Sequence, residues 1–153
     1  MAEWWMSVVV GVVGLRLAVV DLASHRLPDR LTKPLFGSVV VIALAWGSVD
    51  QLQGALVGSV ITGGALAGLA CMPGRPLGLG DVKLQCSLGW MLGFFAPELA
   101  IVGLAGSFVV GGVAALPALL THRLSGRDPV PFGPAMVAST CVMVVVAESL
   151  KII

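Results

Sequence analysis

Six long apolar runs divide the chain, and a short polar link separates each run from the next. The runs extend over about Trp4 to Val20, Pro34 to Val49, Gly54 to Met72, Val82 to Phe95, Leu99 to Leu120 and Phe132 to Ala147. They are continuous and lack the period-two alternation of half-buried strands. A hydrocarbon core accepts only helices or closed barrels, and a helix needs about 20 residues to cross it. The pattern therefore predicts an all-α polytopic membrane protein with about six transmembrane helices.

The amino-acid composition also indicates a membrane protein. Of the 153 residues, 58% are hydrophobic and 11% are charged, whereas soluble proteins average about 25% charged residues. Six spans with short links leave room for a single membrane-embedded domain over residues 1–153. The fourth run is short and carries Lys83 and Gln85 in its first turn, so it is either a helix with a polar beginning or a re-entrant segment.

Basic residues concentrate in alternate links. Seven of the nine precede or follow the runs on one side: Arg26, Arg30, Lys33, Arg75, Lys83, Arg123 and Arg127. By the positive-inside rule these links face the cytoplasm of a cell whose plasma (inner) membrane holds the protein, and both termini lie outside. Arg16, within the first run, can extend its side chain towards the same face.

Two aspartates lie at this predicted cytoplasmic boundary. Asp21 ends the first run, and Asp81 closes the tetrad that begins at Gly78. A charge within a membrane helix costs roughly 2.5 to 3.5 kcal/mol even on the lenient insertion scale, so such residues are usually functional. Two carboxylates that lie close share a proton; the charged one can deprotonate water while the protonated one polarises a carbonyl. Which aspartate would be protonated stays open.

Glycines near Asp81 and in the third run have different expected roles. Gly78 and Gly80 would allow a backbone path closed to other residues and would leave space beside Asp81. In the third run, small residues four apart predict close helix packing. The two pairs are Gly54 with Gly58, and Gly64 with Gly68.

The aspartates also have structural alternatives. Asp81 could cap the fourth helix, Asp21 could be an interfacial charge, and Asp29 could cap the second helix or replace Asp21 in the carboxylate pair. The two histidines and three cysteines have no metal-ligand or disulfide spacing. We expect no metal, no cofactor and no nucleic-acid partner.

Three motifs together resemble type IV prepilin peptidases. Residues 21–34 read DLASHRLPDRLTKP, residues 78–84 read GLGDVKL with Gly89 following, and residues 131–134 read PFGP. The first resembles the family's first catalytic segment, the second its GxGD segment, and the third the motif that opens its last helix. The three occur in the family's order and extend over nearly the whole chain.

The resemblance implies an intramembrane aspartic endopeptidase with Asp21 and Asp81 as its catalytic pair. Its substrates would be prepilins or pseudopilins, cleaved at the cytoplasmic border of the bilayer. Other residues of the motifs would bind substrate or shape the site: Gly78, Gly80, Lys83, Asp29, Pro131, Phe132, Gly133 and Pro134. The chain begins with its first span, as in the short peptidases of tight-adherence pilus systems, so the resemblance implies cleavage without methyl transfer.

A non-enzymatic alternative is a small transporter subunit or assembly scaffold in which the aspartates gate a polar path. Transporters normally carry ionisable groups near the bilayer midplane or have repeated halves, and the sequence has neither feature. The particular prepilin and the oligomeric state are not encoded in these patterns.

Overall fold

The computed structural model describes residues 2–24, 29–72, 77–120 and 132–149, which form six helices and contain no strand. The helices are α1 (Ala2–Ser24), α2 (Asp29–Trp46), α3 (Val49–Ala70), α4 (Leu79–Phe95), α5 (Pro97–Leu120) and α6 (Gly133–Ser149). The predicted all-α class is confirmed, with one helix for each apolar run.

Several helices extend past the apolar runs. Helix α1 continues to Ser24, so that Asp21 lies in its last turn, and α2 begins at Asp29, five residues before the predicted start of the run at Pro34. Three helices are long and apolar enough to cross a membrane, over Trp4–Ala23, Val49–Ala70 and Pro97–Leu116; α6 is shorter. The chain is therefore an all-α membrane protein by composition and helix length.

Helix α4 is the centre of the described bundle. It packs against all five other helices, and most of its residues from Leu84 to Phe94 are buried. Of the two alternatives for the fourth run, the structure has the continuous helix rather than a re-entrant segment. Its modest apolar character fits this position, because neighbouring helices rather than lipid cover its faces.

Helices α3 and α4 approach through glycines. A Cβ on Gly58 would lie 2.5 Å from the Gly89 carbonyl oxygen, and one on Gly54 would lie 2.5 Å from the Gly93 carbonyl oxygen. Ser59 Oγ also donates to the Cys86 carbonyl at 3.0 Å. The prediction that Gly64 and Gly68 pack in the same way is wrong, because no atom of the described residues would lie within 4 Å of a Cβ at either position. Their side of α3 faces away from α4.

One contiguous buried cluster joins five helices, α1 to α4 and α6. Its members recur every three or four residues, as one face of a helix requires. They include Met6, Val10 and Leu17 of α1; Leu35, Val39 and Ala43 of α2; Leu84, Leu88 and Met91 of α4; and Met136 and Val137 of α6. One turn beyond Leu17, Leu35 and Leu84 the apolar pattern gives way to Asp21, Thr32 and Asp81. The polar groups of three helices thus lie at the same end of the cluster.

Candidate active site

Asp21 is held at the beginning of another helix. Its side chain projects from the inward face of α1 and is only 4% exposed. Asp21 Oδ2 accepts a hydrogen bond of 2.9 Å from the backbone N–H of Gly133. A buried carboxylate needs such a donor because removal from water disfavours its charge. The hydrogen bond thus fixes the Asp21 side chain against the beginning of α6.

The PFGP motif builds this contact. Gly133 is the first residue of α6, and a Cβ there would lie 2.8 Å from Asp21 Oδ2, so only glycine allows the present approach. Phe132 packs its ring against Phe108 of α5, with 5.1 Å between the centroids. Pro134 has no N–H to leave unpaired in the first turn of α6. Pro131, the remaining predicted residue of the motif, lies outside the described residues.

Asp81 lies in the first turn of α4, ahead of the apolar run that starts at Val82. Its side chain is half-buried, and Asp81 Oδ2 accepts a hydrogen bond of 3.1 Å from the Gly78 N–H. The N-cap residue of α4 is Gly78. The alternative that Asp81 is itself the N-cap is therefore wrong: Asp81 is the third helical residue, and it reaches back to the cap.

The two carboxylates influence each other. Burial raises the pKa of Asp81 from its ordinary 3.8 to about 6, the Gly78 N–H opposes this rise, and the charge of Asp21 adds to it. Residues 60 positions apart in sequence are thus brought close enough for one charge to disfavour the other. Helices α1, α4 and α6 all pack against one another, which holds the pair in place.

Neither glycine of the tetrad needs an unusual backbone. Gly78 has φ −79° and ψ 150°, which any residue adopts, and Gly80 lies within the helical first turn of α4. The expectation of a path closed to other residues is wrong at both positions. A Cβ on Gly78 would make ordinary contact with Asp81 Oδ2 at 3.4 Å. What remains of the expectation is that these two glycines, having no side chain, leave space beside Asp81.

Two other predicted residues lie at the same end of the bundle. Lys83 is partly buried, but positions two apart on a helix point in nearly opposite directions, and Lys83 is not among the groups that shift the pKa of Asp81. Asp29 is the first residue of α2, and its side chain is outside the description. Thr32, which is buried in α2, is not among the site residues predicted from the sequence; the available signal was its spacing of three from the apolar Leu35.

Among the described residues, no three His, Cys, Asp or Glu side chains are grouped so that they could hold a metal ion. The site itself presents two carboxylates and the backbone amides that donate to them. Such a pair supports acid–base catalysis on a polar bond at the end of the bundle.

The fold and site define a class of helical membrane protein in which separate helices contribute paired carboxylates. A protein-family model, that of the type IV leader peptidase family, matches residues 8–116. The chain belongs to this family.

Curated relatives agree with the family. The chain is 36% identical over 125 residues to leader peptidase HopD of Escherichia coli, covering 78% of each protein. It is 31% identical over 136 residues to a prepilin leader peptidase/N-methyltransferase of Burkholderia pseudomallei, covering 81% of this chain and 40% of the relative. A protein of the same name from Bacillus subtilis is 27% identical over 134 residues, 88% of this chain and 52% of the relative.

The chain thus spans about 40 to 50% of the length of the two relatives whose names include the methyltransferase. No solved structure matches it.

Proposed function

We propose that the chain is an intramembrane aspartic endopeptidase that removes the leader peptide from type IV prepilin-like or pseudopilin precursors. Asp21 and Asp81 are its catalytic pair, and residues 1–153 act as one membrane-embedded domain. The observation that carries the proposal is the placement of the two carboxylates, from α1 and α4, at the same end of one buried cluster. The charge of Asp21 accordingly contributes to the raised pKa of Asp81. Membership of the leader peptidase family supports the substrate class.

The environments of the two aspartates suggest different roles. Asp21 is buried and accepts a hydrogen bond from the Gly133 N–H, and a carboxylate held as an acceptor in this way suits the partner that takes a proton from water. Asp81, whose pKa is raised from 3.8 to about 6, suits the partner that carries the proton, and it holds that proton in most molecules below about pH 6. Environments that separate two carboxylates in this way are how acid and base roles are usually divided.

Hydrolysis then needs no covalent intermediate. Asp21 takes a proton from water as the water oxygen bonds to the scissile carbonyl carbon, and Asp81 gives its proton to the carbonyl oxygen. In the resulting diol, the proton held by Asp21 passes to the peptide nitrogen, and Asp81 takes back a hydroxyl proton as the C–N bond breaks. The products are a carboxylic acid and an amine, and both aspartates return to their starting states.

Charge supports a cytoplasmic location for this end of the bundle. Arg30 and Lys33 of α2 and Lys83 of α4 lie at the end that holds the carboxylates, whereas Asp50 and Glu98 begin α3 and α5 at the other end. Basic residues favour the inner side of a membrane. We therefore place the protein as a multi-pass protein of the plasma membrane, cutting its substrates at the cytoplasmic border.

The proposal is tested with purified protein and a prepilin-like peptide that contains a basic leader and a hydrophobic segment. Asp21→Asn and Asp81→Asn each lower turnover by about a thousandfold or more, because either change removes an acid–base group while keeping its shape. Asp50→Asn, at the opposite end, is the matched control and keeps wild-type turnover.

Asp29→Asn separates the two possible carboxylate pairs. Asparagine caps a helix about as well as aspartate, so this variant retains measurable cleavage if Asp29 only begins α2. An inactive Asp29→Asn beside an active Asp21→Asn would assign the first catalytic position to Asp29. Cleavage by both Asp21→Asn and Asp81→Asn would refute the aspartic mechanism. A wild-type protein that does not cleave the peptide would favour the transporter or scaffold alternative.

A further inference from the structure

The hydroxyl of Thr32 differs from the other buried hydroxyls of the described residues in its hydrogen bonding. The residue is 1% exposed, yet its Oγ1 is buried without a hydrogen-bond partner in the part of the chain that the structure describes. The other buried Ser and Thr hydroxyls there each donate to a backbone carbonyl, within a helix or across to the next one: Ser59, Thr62, Ser87, Ser107, Ser139 and Thr140. An unpaired buried polar group costs free energy, so Thr32 calls for an explanation.

Thr32 lies at the same end of the bundle as the two carboxylates. It lies three residues into α2, Asp81 lies two residues into α4, and Asp21 lies three residues before the end of α1. At 1.5 Å per residue, all three are about 3 to 4.5 Å from the same end of the bundle.

The apolar residues one turn deeper show that the three helices turn these faces towards one another. Leu17, Leu35 and Leu84, each one turn further into the bundle, belong to one contiguous buried cluster. Helix α2 also packs against both α1 and α4. Thr32 therefore ends the inward face of α2 as Asp21 and Asp81 end those of α1 and α4.

We infer that Thr32 is a substrate-binding residue whose hydroxyl donates to a backbone carbonyl of the extended peptide beside the scissile bond. This inference rests on the proposed peptidase function. A peptide in the site is an extended strand with unpaired carbonyls, and a buried hydroxyl kept without a partner is available for one of them. The free energy cost of the unpaired hydroxyl in the empty site is then recovered when substrate binds.

The test compares Thr32→Val, which removes the hydroxyl and keeps the shape, with Thr32→Ser, which keeps the hydroxyl. Loss of one neutral hydrogen bond predicts that kcat/KM for the prepilin-like peptide falls about three- to tenfold in Thr32→Val, mainly through KM. Thr32→Ser stays within about twofold of wild type by the same reasoning. The melting temperature of Thr32→Val in detergent is equal to or above wild type, since valine leaves no polar group unpaired there.

Thr140→Val is the matched control, because Thr140 Oγ1 donates to the Met136 carbonyl at 2.9 Å and lies two turns into α6. We expect Thr140→Val to have a lower melting temperature than wild type and an unchanged kcat/KM. This opposite pattern separates substrate binding from a structural role.

A second measurement uses binding alone. In an Asp81→Asn background, which does not cleave, adding Thr32→Val weakens affinity for a labelled peptide by the same three- to tenfold factor. Wild-type kcat/KM and affinity in the Thr32→Val proteins would overturn the inference while leaving the peptidase function intact. A wild-type protein that neither cleaves nor binds the peptide would overturn both.

Discussion

At the scale of single residues, Gly133 controls the position of Asp21. Its N–H lies 2.9 Å from Asp21 Oδ2, and its missing side chain is what permits that distance. The sequence marked both residues through motifs, but it could not pair them, because 112 positions separate them and only folding brings α6 onto α1.

Gly133→Ala tests this contact. The added Cβ would be 2.8 Å from the carboxylate oxygen, so the side chain of Asp21 or the beginning of α6 must shift. We expect turnover to fall about tenfold to a hundredfold, as catalytic groups misplaced by about 1 Å usually cause. Gly37→Ala is the control, since its added Cβ has no atom within 4 Å in the part of the chain that the structure describes. Equal turnover in the two variants would contradict the role of Gly133.

The pKa of Asp81 predicts a pH dependence. Because that pKa is raised to about 6, the proton required of Asp81 is lost as pH increases through this value, and kcat/KM declines above it. Between pH 3.8 and about 6, Asp81 therefore carries a proton in the folded protein but not in the unfolded chain. The contribution to the free energy of unfolding is therefore complete below pH 3.8 and lost as pH rises through about 6.

Gly78→Pro identifies the group responsible. Proline fits the backbone at φ −79° and removes the N–H that donates to Asp81 Oδ2. The pKa of Asp81 then rises, because that donor had favoured the ionised form, and the decline of kcat/KM moves to higher pH. Gly78→Ala keeps the N–H and the wild-type profile. A profile that Gly78→Pro leaves in place would mean that another group titrates.

At the scale of elements, the α3–α4 contact shows where sequence patterns stop being informative. Gly54 with Gly58 and Gly64 with Gly68 have the same spacing, and both predict close packing. Only the first pair meets a partner, because α4 has Gly89 and Gly93 at matching height. The complementarity of two helices decides the interface, and one helix alone does not contain it.

Valine substitutions distinguish the two glycine pairs. Gly58→Val forces α3 away from the Gly89 carbonyl and α4, and we expect a loss of about 1–3 kcal/mol or more in the free energy of unfolding. Gly64→Val has open space around it and should keep nearly wild-type stability. Thermal unfolding in detergent measures both, and a large loss in Gly64→Val would contradict this packing.

At the scale of the whole molecule, the lengths of the apolar runs predicted much of the fold. The identities of the polar residues predicted only part of the site. Continuous apolar runs predicted six helices because lipid leaves few alternatives. The central place of α4 was not predictable, since burial by neighbours and burial by lipid give similar composition. Thr32 was not predicted because a single hydroxyl in an amphipathic turn is ordinary. Only the folded structure shows that this hydroxyl has no partner among the described residues.

Single-cysteine labelling tests the proposed orientation. Cys71 is exposed at the end of α3, on the side of the carboxylates, and Asp50 lies at the opposite end. In proteins that keep only Cys71 or carry only Asp50→Cys, an impermeant maleimide should label the introduced cysteine in intact cells. Cys71 should react only after permeabilisation. The reverse pattern would put the carboxylates outside the cell.

The hydrogen bond between α1 and α6 has a consequence for biosynthesis. Helix α1 leaves the ribosome first, and α6 is the last of the described helices to be synthesised, so Asp21 spends most of translation without the amide that holds it. A chain interrupted before Gly133 carries both aspartates but no completed site. On the proposed function, full proteolytic capacity therefore appears only once α6 has inserted and Gly133 has met Asp21.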